Sequence, residues 1–119
     1  MTRSTGALPT VIAAFILMLP PSLLAHVLQE RSEPEHESTV DGSPERIAVW
    51  FDQDVRLVSF EVSGPDGPVA LRQRPDRTLT RHFETAPSGA LAPGEYTVQW
   101  RGLAEDGHVM TDEFGFSVR

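Results

Sequence analysis

Hydrophobic residues recur at every other position in several short runs from Ile47 onward. Ile47, Val49 and Phe51 alternate with Ala48, Trp50 and Asp52, and Val58, Phe60 and Val62 alternate with Ser59, Glu61 and Ser63. A period of two turns one side of each run toward a core and the other toward water, which is the pattern of a strand. Val69 to Leu71 and Leu79 to Phe83 read as shorter strands. The clearest pair comes last. Tyr96, Val98 and Trp100 share one face, Phe114, Phe116 and Val118 share another, and together they predict a closing hairpin. Trp50 and Trp100 both read as core residues.

Turn residues punctuate these runs at Asp41-Gly42-Ser43-Pro44, Pro65-Asp66-Gly67-Pro68, Ala92-Pro93-Gly94 and Asp106-Gly107. With a short first strand after His26 the count reaches about seven. No stretch beyond His26 sustains a helical period. The expectation is therefore an all-β fold, a Greek-key β-sandwich or barrel of immunoglobulin-like type. Glu30 to Ser38, acidic and interrupted by Pro34, reads as an exposed loop.

The beginning of the chain follows a different pattern. One charge, Arg3, precedes the unbroken apolar run Val11 to Leu19, which is followed by Pro20-Pro21 and Ser22-Leu23-Leu24-Ala25 before polarity rises. A lone positive charge, a short apolar run and a small residue at its end describe a cleavable secretory signal peptide over residues 1–25. A lipid span needs roughly 20 apolar residues, and the paired prolines stop this run early. Cleavage after Ala25 makes His26 the first residue of an exported mature domain, 26–119. It also exposes a free amine beside an imidazole. The two can close a chelate ring that a histidine inside a chain cannot form.

Composition narrows the partners. The 119 residues carry a net charge of −7, and all 10 basic residues are scattered arginines. Nucleic acid and anionic membrane surfaces both require clustered positive charge, so neither is expected. Cysteine is absent, so any metal must rest on nitrogen and oxygen. The chain is long enough for one compact domain. No serine stands in a nucleophile-elbow context, and no small-molecule substrate or catalytic step is expected.

Four histidines and Met110 lie beyond the cleavage point. His36, in Glu-Pro-Glu-His-Glu, reads as a solvated loop residue. His82 reads as the outer face of a strand, and Met110 as packing. His108 follows Asp106 across Gly107, so the two side chains leave one face of an extended segment or converge in a tight turn. Alone this is a weak signal, because Asp-Gly is a common turn. A first strand lying beside the last hairpin would add His26. The resulting set, His26, Asp106 and His108, is rich in nitrogen with one carboxylate and no sulfur, and it suits copper(II), with zinc as competitor.

The chain resembles the CopC-type periplasmic copper-resistance proteins. The likeness lies in the histidine after the signal peptide, in Ser32-Glu33-Pro34 with Ser38-Thr39-Val40, and in Pro44 to Phe51. It continues in Leu91 to Trp100 and in Asp106-Gly107-His108 leading to Phe114-Gly115-Phe116-Ser117-Val118. The resemblance implies a periplasmic copper carrier with His26, Asp106 and His108 as copper(II) ligands, working with an inner-membrane copper transporter or another periplasmic carrier. Two departures matter. Some members bind copper(I) through a methionine-rich loop, but here the middle of the mature chain has no methionine; some use a histidine where this chain has Leu28. A copper(II) site without a copper(I) site is expected. Two alternatives stay open: a copper redox enzyme built on a terminal-histidine brace, and a metal-free immunoglobulin-like interaction module.

Overall fold

The computed structural model describes residues 29–119 together with Ser4, Gly6 and Ala7. His26 and all but those three residues of the expected signal peptide thus lie outside the described residues. Seven strands occur: β1 (Gln29–Glu33), β2 (Ser38–Val40), β3 (Ile47–Gly64), β4 (Gly67–Val69), β5 (Leu79–Thr85), β6 (Gly94–Ala104) and β7 (Val109–Val118). They form one curled sheet in the order β1-β3-β6-β7-β2, with β4 and β5 also paired to β3. All pairings are antiparallel except β2 with β7. The expected all-β class and strand number hold.

The two runs read from alternation are a single strand of 18 residues. The polar segment Asp52-Gln53-Asp54 between them does not end the strand; it bulges. Trp50 pairs with His82 and Val55 with Thr80, so β3 advances five residues while β5 advances two. A second irregularity between Leu57 and Ser59 against β6 shifts the buried parity from Val55 and Leu57 to Phe60 and Val62. Bulges bend a strand and increase its twist, and here they let one strand serve two parts of the curl. Its first half lies between β1 and β5, and its second half lies along β6.

The core fills the inside of that curl. Phe51 meets Trp100 edge-on at 4.8 Å between ring centroids, and Tyr96 stacks on Phe116 at 5.4 Å. The closing hairpin is in register from Gly94 opposite Val118 to Leu103 opposite Val109, with all six residues expected on its inner faces buried. Gly64 permits the approach of the Tyr96 ring, since a Cβ there would clash with Cε1 of that ring. The Tyr96 hydroxyl donates to the Ala92 carbonyl at 2.6 Å, tying the turn before β6 to that strand.

Two expectations need correction. Glu30 to Ser38 is not a loop throughout: β1 runs to Glu33, its charged residues facing out while Ser32 is buried. Trp50 is not core. It is half-buried on the outer face, opposite Arg31 on β1 and His82 on β5. The Arg31 guanidinium carbon lies 3.9 Å from its ring centroid, and the His82 ring stacks on it at 4.7 Å. Position 50 has the opposite parity to Val49 and Phe51, and parity outweighs residue type. Hence Trp100→Ala is expected to cost about 3–5 kcal/mol, whereas Trp50→Ala should cost about 1 kcal/mol, the scale of an exposed cation–π contact. Urea unfolding of both variants checks this, and equal losses would contradict the assigned faces.

Candidate metal centre

The turn from β6 to β7 carries Glu105, Asp106, Gly107 and His108. Backbone bonds close it: the Ala104 N–H donates to the His108 carbonyl at 2.9 Å, and the Gly107 N–H to the Ala104 carbonyl at 2.9 Å. Gly107 has a φ of +86°, a left-handed conformation that glycine adopts without a Cβ penalty. That twist folds the following residue back over Asp106.

The two side chains expected to act together do meet. The backbone N–H of His108 donates to Asp106 Oδ1 at 3.0 Å, and His108 Nδ1 lies 2.7 Å from Asp106 Oδ2. First the His108 backbone N–H, then its ring, hold the Asp106 carboxyl below the ordinary carboxylate range. An ionised carboxylate can only accept, so His108 Nδ1 is the atom that carries the hydrogen. Both side chains are well exposed, His108 at 80%. The turn is thus a preorganised nitrogen and oxygen pair open to water.

The third expected residue, His26, lies outside the described residues, so the structure does not bring it to this pair. Among the described residues no cluster of three or more His, Cys, Asp or Glu side chains could hold a metal. The described strand β1 has a defined direction relative to the turn. β1 runs antiparallel to β3 with Gln29 opposite Phe51, and Val55, farther along β3, is opposite Ala104 beside the turn. Gln29 is therefore the end of β1 nearer that turn. Its Oε1 accepts from Trp100 Nε1 at 2.8 Å, which fastens this end of β1 to β6.

The other histidines are placed elsewhere. His82 is on the outer face as expected, its Nε2 3.9 Å from Glu84. His36 is exposed but not merely solvated: its Nδ1 accepts from the Gly115 N–H at 3.0 Å, while the Glu37 N–H donates to the Gly115 carbonyl at 2.7 Å. This pins the segment after β1 onto β7. No local pattern could have shown it, because the partner is 79 residues away. Met110 is half-buried against the core cluster, as expected of a packing residue.

Comparison with known proteins gives consistent relatives. The family model of the CopC domain matches residues 29–119. Copper resistance protein C of Escherichia coli is 27% identical over 109 residues, covering 82% of this chain and 85% of its own. Protein YobA of E. coli K12 is 24% identical over 106 residues, with 86% of each chain covered. Among solved structures, PcoC, described as a methionine-rich copper resistance protein from E. coli, superposes with a TM-score of 0.63. It is 25% identical, covering 77% of this chain and 97% of its own. CopC from Methylosinus trichosporium OB3b gives 0.61 at 25% identity, over 76% of this chain and 91% of that one.

The lowered Asp106 pKa has a pH consequence. A depressed carboxyl contributes order that is present above its unfolded value and lost as pH falls through its folded value. In the metal-free protein the Asp106 carboxyl carbon should therefore titrate by NMR below the reference value of 3.8. The His108 amide shift should move with it. A midpoint at or above the reference would contradict the carboxylate's hydrogen bonds.

Proposed function

The chain belongs to the CopC family, and from that premise we propose that it is an exported protein that binds one copper(II) ion and carries or sequesters it in the periplasm. The observation that carries this reading is the 2.7 Å contact between His108 Nδ1 and Asp106 Oδ2 on an exposed turn. Two adjacent ligands with metal bonds of about 2.0 Å stand about 2.8 Å apart at a right angle. Asp106 Oδ2 and His108 Nδ1, once its hydrogen is lost, would hold the ion as neighbouring ligands at that spacing.

His26 supplies the remaining nitrogens. With cleavage after Ala25, its amine and imidazole become a chelating pair at the head of a chain only three residues from Gln29. Three extended residues reach about 10 Å, and the course of β1 favours the end of the barrel that bears Asp106 and His108. Nitrogen donors with one carboxylate suit a tetragonal copper(II) ion. Soft thioether ligands are scarce: of the three methionines in the chain, two precede Ala25 and the third, Met110, packs on the core. This argues for a copper(II) site without a copper(I) site. The turn stands open to water, which favours transfer to a membrane transporter or second carrier over catalysis at the ion.

Copper(II) titration and electron paramagnetic resonance on the chain starting at His26 test this. One nitrogen-rich tetragonal site is expected. Adding one residue before His26, or introducing His108→Ala, should weaken it by roughly 100-fold or more. His36→Ala and His82→Ala should leave it unchanged. Undiminished affinity in the extended chain would remove the terminal amine from the site.

The same site should empty as pH falls from neutral to 4, because protonated imidazole and amine are no longer ligands. Copper retained at pH 4 with unchanged affinity would count against histidine ligation.

A further inference from the structure

Strand β3 has an open edge midway along its length. On the side away from β6, β5 pairs with Val55 and Arg56, and β4 pairs with Val62 to Gly64. Among the described residues no strand pairs with Leu57 to Glu61 on that side. Five residues of strand span about 17 Å, and the backbone groups of such an edge are a template for another strand. The chain joining β4 to β5 passes around this edge instead of along it. Leu71 bridges to Pro87, the Arg72 N–H donates to the Ala86 carbonyl, and the Ser88 N–H donates to the Ala70 carbonyl.

The detour leaves a groove of about 620 Å3 beside β3. Val58, Phe60, Val69 and Leu71 give it an apolar lining. Its charged residues are Arg74, Arg77 and Glu61, so it is net positive in a chain of net charge −7. Neither arginine has an acidic partner among the described residues. Arg77 is held in place: its φ is +66°, uncommon for a residue with a side chain. Arg56 Nη1 donates to its carbonyl at 3.2 Å, and the Thr78 N–H and hydroxyl both donate to Asp76 Oδ1.

We propose that this groove receives an extended acidic peptide as an added strand on Leu57–Glu61 of β3, its carboxylates paired with Arg74 and Arg77. Backbone hydrogen bonds along the open edge would give affinity. The guanidinium groups select carboxylates, and the apolar lining takes the alternate side chains. The groove shares no residue with the Asp106–His108 turn, so the inference stands independently of the copper site.

The test uses the full mature chain and a fluorescein-labelled, end-capped Glu-Val-Glu-Val-Glu peptide, followed by fluorescence anisotropy at low salt. Saturable binding is expected, at least tenfold weaker in the Arg74→Glu/Arg77→Glu variant and in a peptide N-methylated at its central amide. Copper(II) and His108→Ala should change nothing, so failure here and failure of the copper reading are separable. Amide exchange at Leu57–Glu61 should slow when the peptide binds. Both arginines are exposed, so the double variant should unfold at the same temperature as the parent. Absence of saturable binding, equal binding of a Lys-Val-Lys-Val-Lys peptide, or full affinity in the charge-reversed variant would overturn the proposal. Complete displacement by equimolar free glutamate would show an anion site in place of strand addition, and would overturn it too.

Discussion

The structure depends on one strand pairing along both edges without remaining straight. Ile47–Gly64 lies between β1 and β5 in its first half and along β6 in its second. A flat 18-residue strand could not do both, because it would carry one set of side chains on one plane. The bulge at Asp52-Gln53-Asp54 and the irregularity after Leu57 bend it, so that Phe51, Val55, Leu57 and Phe60 all turn inward although their spacing is not uniform. Once the strand is bent, β1, β5 and β6 have their relative positions, and the core rings of Phe51 and Trp100 meet.

The chemistry at the β6–β7 turn follows from that frame. β6 is paired on both sides, to β3 and to β7, as far as Leu103, and Ala104 is still paired to β3. The four residues beyond it therefore leave a fixed base, and backbone bonds to Ala104 close the turn. Within it, glycine geometry and the carboxylate's need for donors bring His108 onto Asp106. Half of the proposed site is thus built by a hairpin before any metal arrives. The first residue of β1, Gln29, is fastened to β6 by the Trp100 indole.

The outer face orders polar side chains in layers across three strands. Arg31, Trp50 and His82 lie side by side on β1, β3 and β5 and stack as layers. One register step away, Arg46 pairs with Glu33 at 2.7 Å and with Glu84 at 3.1 Å, around the small Ala48. Exposed pairs of this kind contribute little each. Their arrangement nevertheless accounts for His82: its ring lies on an indole and its charged neighbour is already paired with arginine.

Alternation alone marks the strand stretches at Ile47–Phe51, Phe60–Val62 and the final hairpin with their inner faces, because a period of two is a local property and burial follows it; β1 and β2, short and polar, carry no such pattern. The Asp106-Gly107-His108 convergence was legible for the same reason: it needs only a glycine between two short-range partners. Residue type puts Trp50 in the core whereas parity puts it on the outer face, and the polar triplet Asp52-Gln53-Asp54 resembles a break where the strand bulges. The pinning of His36 to Gly115, the fastening of Gln29 to Trp100 and the open edge of β3 were beyond reach from sequence. Each is a contact, or a missing strand, between segments far apart in the chain, and only the packed sheet brings such segments to a common distance.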